Sequence, residues 1–493
     1  MKLDWLRDLN PKSKEFDAQS REILTRLLNE IENIYKENQG LKAENQRLRD
    51  EIAQLKGHKG KPKIKANRQD KSRTGKEKTP NQESSSNSNS KPSRQQRIKI
   101  DREQVLKLER AHLPKDVVHR GYREVTIQNI LFKTDTVLYR LERLYSTSRG
   151  QLYEAKLPVE VRCQSYGKEL EAFAIMLYYE LRVPQEKIVK LLQSQGLVIS
   201  AGKIANLLSQ QYLEKFTTER NEVLKAGLAS TSYQHIDDTG MRVNGENRYA
   251  VTICNPYYSS FFTTRRKNSQ TVSQLLDILS EEAVVEKANF HKELREYIQI
   301  LVADDAGQFH NQTSHRGLCW IHEARHYEKL SPVLPIHQQW LEKFLKDFWV
   351  YYYQLKDYQQ ISTEQRQSQK LSLSKEFDRL FSQITGYDDL DHRLSLTRQK
   401  KPYLLLVLKF PEVPLDNNEA ERALREYVVK RKISNGTRTE TGTQAWEIFL
   451  ALVDTCRKLG VNFYQYILDR ISQTCEMPAL ATLIFQKSQL CFS

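Results

Sequence analysis

The stretch YQHIDDTGMRVNGENRYAVTICNPYYSSFFTTRR, residues 233–266, decides the fold. Apolar and polar residues alternate along it, and Asn244 and Gly245 fall between two alternating runs. An Asn-Gly pair accepts the positive φ angles that a tight hairpin turn requires, so the stretch is expected to form antiparallel strands. Working outward, TVSQLLDIL (271–279) has helical spacing, and IQILVADDAGQFH (298–310) is an apolar run that ends in two aspartates, expected as a strand. Residues 319–408 are mostly helical in pattern. NNEAERALREYVVKRK (417–432) and TGTQAWEIFLALVDTCRKLGVNFYQYILDRI (441–471) read as closing helices. Grouped strands, a helix, another strand, a long helical block and closing helices indicate an α/β core that carries a helical insertion.

Upstream the pattern changes three times. Leu24, Ile31, Asn38, Asn45 and Ile52 recur every seven residues, and so do Leu27, Ile34, Leu41, Leu48 and Leu55. These are the a and d positions of a coiled coil, and asparagine at a favours a parallel two-stranded register. The alternative is one amphipathic helix packed on its own domain. From Lys56 to Lys99 there are 14 basic residues against three acidic ones, with almost nothing apolar, so this segment is expected to be a disordered basic linker. Residues 137–145 and 152–157 flank a Ser-Arg-Gly turn and suggest a hairpin. PQEKIVKLLQSQGLVISAGKIANLLSQQ (184–211) reads as helix, turn, helix, with Ser200 as an N-cap. As a DNA reader it would offer Ala201, Gly202, Lys203 and Asn206 to a major groove; as a plain helix pair it would only pack.

The bulk properties agree with a polyanion partner. The chain has 493 residues and a net charge of +15, with six scattered cysteines and no C-x-x-C pair, so neither a disulfide framework nor a structural zinc site is expected. No apolar run has membrane-spanning length and no signal peptide is evident, so a cytoplasmic, nucleoid-associated location is expected.

Three carboxylates stand where an α/β core could use them. Asp237 and Asp304 end strands, and Glu421 begins a helix. A few carboxylates facing one another suit Mg2+, and two such ions can serve phosphoryl transfer on DNA. The ordinary alternatives are a turn or cap aspartate and a helix-dipole glutamate. Asp238 and Asp305 compete with their neighbours, but adjacent strand residues face opposite sides, so only one of each doublet should point into a site.

HIDDTGMRVNG, LVADDAGQF, LCWIHEARHYEKL and DNNEAERALREYVVKRK occur in that order. Together they resemble the transposases of the insertion-sequence 66 family over almost the whole chain. Asn417, Asn418, Ala420, Glu421, Arg422 and Arg425 fit the family's most specific motif. The resemblance implies a DDE enzyme with an RNase H-like core and a helical insertion before the glutamate. It implies Asp237, Asp304 and Glu421 as the triad holding two Mg2+ ions, with Mn2+ as a substitute. Cys319 and His322 match a Cys-x-x-His signature and, with Asn418, are expected to support the site. Arg422, Arg425, Lys430, Arg431 and Lys432 are expected at DNA phosphates, with Arg425 also placed as an i,i+4 partner for Glu421. The region 101–162 has no cysteine where many relatives carry a zinc-finger-like element. Asp238 and Met241 replace a common glutamate and tryptophan.

The expected organisation is a zipper helix (1–56), the basic linker (57–100), a small hairpin domain (101–165), a helical DNA-binding domain (166–228), the first part of the core (229–318), the insertion (319–410), closing helices (411–470) and a tail (471–493). The expected partners are element ends and target DNA, and a second copy paired through the zipper. Accessory proteins of the same element are left open, and so is a catalytically dead or domesticated DNA-binding protein on the same scaffold.

Overall fold

The computed structural model describes residues 11, 16–55, 103–105, 122, 133–158, 165–281 and 298–490. The expected linker at 57–100 and most of the expected domain at 101–165 lie outside them. The chain divides into two compact units, residues 1–41 with 133–493, and residues 42–132. The described part of the second is chiefly the end of helix α1 (Ala18–Leu55).

In the larger unit, a short exposed hairpin comes first, β1 (Arg143–Ser146) and β2 (Gln151–Glu154), turning at Gly150 with φ +59°. It is shorter than the sequence suggested, because only the residues beside the turn pair. Four helices follow: α2 (Lys168–Tyr179), α3 (Gln185–Ser194), α4 (Ala201–Ser209) and α5 (Leu213–Ala229). The Ser200 hydroxyl caps α4 by accepting the Lys203 N–H at 3.1 Å.

The central sheet holds β3 (Tyr233–Val243), β4 (Glu246–Cys254), β5 (Ser259–Thr264), β6 (Ile300–Ala303) and β7 (His315–Leu318), in the order β5-β4-β3-β6-β7. β3, β4 and β5 form an antiparallel meander, whereas β6 and β7 run parallel to β3. Asn244 and Gly245 take φ of +51° and +82° between the paired residues Val243 and Glu246, the two-residue turn that the Asn-Gly signal predicts. Every residue of β6 is buried, as a central parallel strand requires. Leu301 and Ala303 face the main core. Ile300 and Val302 face Leu406 of the insertion and Val413 just after it.

After α6 (Ser269–Glu281) and the last two strands, the chain builds a helical block with α7 (Trp320–Glu328), α8 (Pro335–Gln360), α9 (Thr363–Phe381), α10 (Asp388–Gln399) and α11 (Lys401–Leu404). Its own core gathers around the fully buried Trp320, whose indole N–H donates to the Leu404 carbonyl at 2.9 Å. Helices α12 (Asn418–Ser434) and α13 (Glu440–Leu459) return to the sheet, and α14 (Phe463–Ser472) packs on α2. The segment expected as a tail contains α15 (Leu480–Leu490), which buries Leu480 and Ile484 in the main core.

Helix α1 docks on the insertion through residues beside its heptad stripe and through the a-position Ile31 at one edge of it. Leu28 packs on Leu334 and Ile336. The buried Glu32 accepts the Val333 and Leu334 N–H groups at 2.5 and 2.8 Å, capping α8. Asn29 bonds the Gly386 carbonyl at 3.0 Å and Asp388 at the start of α10. Leu27, Ile34, Leu41 and Leu48 remain more than half exposed on the heptad seam. Among the described residues, no helix is long and apolar enough to cross a membrane.

Candidate active site

Strand register places the first two carboxylates side by side. His235 of β3 lies opposite Val302 of β6 in a parallel pair. Two residues further along each chain come Asp237 and Asp304, on neighbours that a sheet spaces about 4.8 Å apart. The Asp304 Oδ1 accepts the Ala306 N–H at 3.1 Å. The doublet at 237–238 divides as the strand period demands. Asp237 shares a face with His235, Thr239 and Met241, which meet Asn417, Arg431 and Tyr427 respectively. Asp238 turns to the other side, to Lys267 at 2.6 Å and Gln308 at 2.7 Å. Asp305 is engaged with Lys400 at 2.7 Å.

The third carboxylate arrives on α12, and its place is set by the fully buried Asn417 at the helix N-cap. Asn417 Nδ2 donates to the Ile236 carbonyl at 2.9 Å, next to Asp237. Its Oδ1 takes the His235 Nδ1 proton at 2.8 Å, and its backbone N–H donates to Cys319 Sγ at 3.2 Å. Cys319 donates its own N–H to the Ala303 carbonyl at 3.1 Å, next to Asp304, and the Glu421 N–H returns to the Asn417 carbonyl at 3.1 Å. One asparagine thus ties together the three chain segments that carry Asp237, Asp304 and Glu421. Burial pushes the His235 imidazole down to about 4 and the Cys319 thiol up to about 11, so both are neutral fasteners.

Charge is crowded here. Burial pushes the Asp237 carboxyl up to about 7 against a hydrogen bond from the Asp238 N–H, and the charges of Asp304, Asp238 and Glu421 push the same way. Glu421 is neutralised by Arg325 of α7, whose Nη1 and Nη2 donate to Oε1 and Oε2 at 3.1 and 3.2 Å. His322 Nε2 lies 3.5 Å from Glu421 Oε1 and 3.1 Å from Arg325 Nη1. Arg325 can only donate, so the ring proton is assigned to Nδ1. Burial holds this imidazole below its usual range.

Among the described residues, no three His, Cys, Asp or Glu side chains are gathered closely enough to hold a metal ion as they stand. The donor chemistry nonetheless fits one. Three carboxylates are hard oxygen donors of the kind Mg2+ takes, and a cation would relieve the repulsion that lifts Asp237. As it stands, the Glu421 carboxylate is taken by Arg325.

The remaining expected residues separate. Arg422 is exposed and pairs with Glu419 at 3.0 Å. Arg425 is exposed on α12, and the ion pair of Glu421 goes to Arg325 instead, so the i,i+4 pairing is not formed. Arg431 is half-buried and Lys432 exposed. Lys430 cannot meet a phosphate. It is fully buried, donates to the Tyr178 carbonyl at 2.6 Å, and lies against the rings of Tyr178, Tyr179 and Trp446. The basic run is split by the helical period, which puts Lys430 on the buried stripe with Ala423 and Tyr427. Lys203 reaches Gln211 at 2.8 Å and Glu171 at 3.4 Å, while Asn206 is exposed and bonds Gln210 at 3.2 Å. Asn418, expected to support the site, only donates its backbone N–H to Asp416 at 3.1 Å, and the fastening belongs to Asn417. Arg325 and Lys267 were not anticipated. Against the pull of burial, the Asp238 carboxylate and the charges of Asp304 and Asp237 hold the Lys267 ammonium above its usual range.

The uncharacterized protein y4jO of Sinorhizobium fredii (strain NBRC 101917 / NGR234) is 30% identical to the chain over 326 residues, covering 54% of this chain and all of that relative. The sequence pattern described as Transposase IS66 family matches residues 164–445, from just before α2 into α13 and across all three carboxylates. The chain therefore belongs to the IS66 transposase family.

Proposed function

We propose that this transposase binds the terminal inverted repeats of its element and cuts and joins DNA at Asp237, Asp304 and Glu421, within an RNase H-like core. The observation that carries the reading is the convergence of three chain segments on Asn417, which brings two register-matched aspartates and a helix-borne glutamate to one edge of the sheet. Hydrolysis would add water across a phosphodiester and free a 3′-hydroxyl. That hydroxyl would then displace a 3′-oxygen from a target phosphorus, leaving the number of phosphodiesters unchanged in the joining step. Mg2+, or Mn2+ in its place, would be held by the three carboxylates and would supply the Lewis acidity that activates the attacking oxygen and stabilises the departing one.

The chain's own residues do the positioning. Asn417 and Cys319 fix the carboxylate-bearing backbones, and Arg325, which also donates to His322, holds Glu421. Arg422, Arg425, Arg431 and Lys432 offer cations to phosphates beside the site. Helices α3 and α4 would act as a helix-turn-helix with Asn206 exposed to DNA, and the seam on α1 would pair two chains so that two element ends meet. On this reading the protein works in the cytoplasm, at the nucleoid.

A second reading, an inactive or domesticated DNA-binding protein, has one observation in its favour, the Arg325 grip on Glu421. Cleavage of a labelled element-end duplex in Mg2+ separates the two. Cutting by the wild type and none by Asp304→Asn, with DNA binding retained, supports the triad. Equal cutting by both removes it. Binding without cutting by either favours the second reading.

A further inference from the structure

Beyond the carboxylates, the same strand and the same helix build a second feature, an open groove of ≈ 580 Å³. Its walls are Arg242, Asn247 and Arg248 from the β3–β4 hairpin, and Arg431, Lys432 and Asn435 from the end of α12. Among the described residues, no carboxylate lines it. Arg248 is committed, paired with Glu246 at 2.9 Å and Glu440 at 3.7 Å on the rim. Arg242 and Lys432 are exposed and make no ion pair among the described residues. Arg431 reaches from the groove towards the carboxylates, with Nη1 3.4 Å from the Thr239 hydroxyl, two residues beyond Asp237 on the same strand face.

The two walls are clamped in place. Asn435 ends α12 in a left-handed conformation and Gly436 follows at φ +93°. Thr437 then pairs with the hairpin tip, donating to the Arg242 carbonyl at 3.2 Å and accepting the Asn244 N–H at 2.8 Å. A side chain at Gly436 would meet the Arg242 carbonyl oxygen at 2.3 Å, so the close approach depends on glycine.

Two independent rulers set the distance from the carboxylates. From Asp237 to Arg242 along β3 is about 17 Å, and from Glu421 to Lys432 along α12 is also about 17 Å. That length is about five base-pair rises of duplex DNA. An open trough with planar guanidinium and amide donors suits a row of phosphate oxygens better than an enclosed small anion. We propose that the groove binds the sugar-phosphate backbone of the DNA being cut, about five nucleotides from the scissile phosphate. This rests on the DNA-cleaving reading above.

The test is the salt dependence of DNA binding by the full chain, followed by fluorescence anisotropy between about 50 and 200 mM salt. The double variant Arg242→Gln/Lys432→Gln is compared with Lys370→Gln/Lys375→Gln, an equal loss of charge on the exposed face of α9. Each released phosphate contact lowers the slope of log K against log salt by about 0.9, so the groove pair should lose about two from the slope on an element-end duplex. The α9 pair should match the wild type. Equal slopes for the two double variants would overturn the groove while leaving the cleavage reading intact. A loss confined to an unrelated duplex would also overturn it, by giving the groove to target DNA. No binding by the wild type to either duplex would remove the cleavage reading itself. All four positions are exposed, and unchanged melting temperatures check that the variants fold.

Discussion

Arg325 covers both carboxylate oxygens of Glu421, across 96 residues of sequence and from a different layer of the fold. A guanidinium and a divalent cation compete for the same lone pairs. Arg325→Gln is therefore expected to tighten Mn2+ binding to the full chain about two- to tenfold, the range set by a half-exposed ion pair of about 0.5–1.5 kcal/mol. Electron paramagnetic resonance of free Mn2+ reads the titration. Lys329→Gln, at the C-cap of α7, removes the same charge without touching Glu421 and should leave the affinity within about twofold. Weaker binding after Arg325→Gln would mean that the guanidinium orients Glu421 for the cation.

Asn417 is the fastening whose loss should be felt most widely. Alanine there abandons both side-chain bonds and leaves the Ile236 carbonyl and His235 ring without their partner in a dry interior. The expected cost is about 2–3 kcal/mol, a fall of about 2–4 °C in the melting temperature of a unit this large. Asn418→Ala should move it by no more than about 1 °C. Calorimetry of both variants decides between the two asparagines.

Burial lowers the Lys430 ammonium to about 7, and no carboxylate answers it. The unfolded chain keeps this proton up to the ordinary lysine range near 10.4. Between pH 7 and about 10 the unfolded state therefore binds more protons, and raising the pH stabilises the fold by about 1 kcal/mol per unit from this group. Below pH 7 the full penalty of burying the charge is present. Lys430→Met should thus be more stable than the wild type at pH 6.5, with the advantage shrinking by pH 8.5. Melting curves at the two pH values check it, and a constant difference would refute the assignment.

Glu32 caps a helix from outside its own segment. Glu32→Ala leaves the Val333 and Leu334 N–H groups unpartnered at the start of α8, at an expected cost of about 1–2 kcal/mol. Hydrogen exchange should rise at residues 333–337 and stay unchanged in β6. Faster exchange everywhere would instead show that α1 supports the whole unit.

Much of this was legible in the residues. The Asn244-Gly245 turn, the apolar run of β6 and the Ser200 cap are local chemistry, and each formed where its own residues dictate. The strand period likewise separates Asp237 from Asp238. Lys430 was legible in principle, since it stands three residues after Tyr427 on a stripe of buried positions, but a run of three basic residues disguised the period. The pairings of Arg325 with Glu421 and of Asn417 with Ile236 span about a hundred and two hundred residues, and nothing local announces them. The heptads of α1 concealed the docking in a different way. They mark one face of the helix, while a neighbouring face, with no regular pattern of its own, makes the polar contacts that dock it.

That docking changes what pairing would do. A zipper on a loose tether would bring two chains near each other and leave their orientation free. Here Glu32 and Asn29 bolt the seam-bearing helix to the insertion with Leu27, Ile34 and Leu41 turned outwards. A second chain gripping that seam would be held at a fixed bearing, like two blades on one axle. The spacing between paired cuts would then be written into the protein and imposed on the DNA.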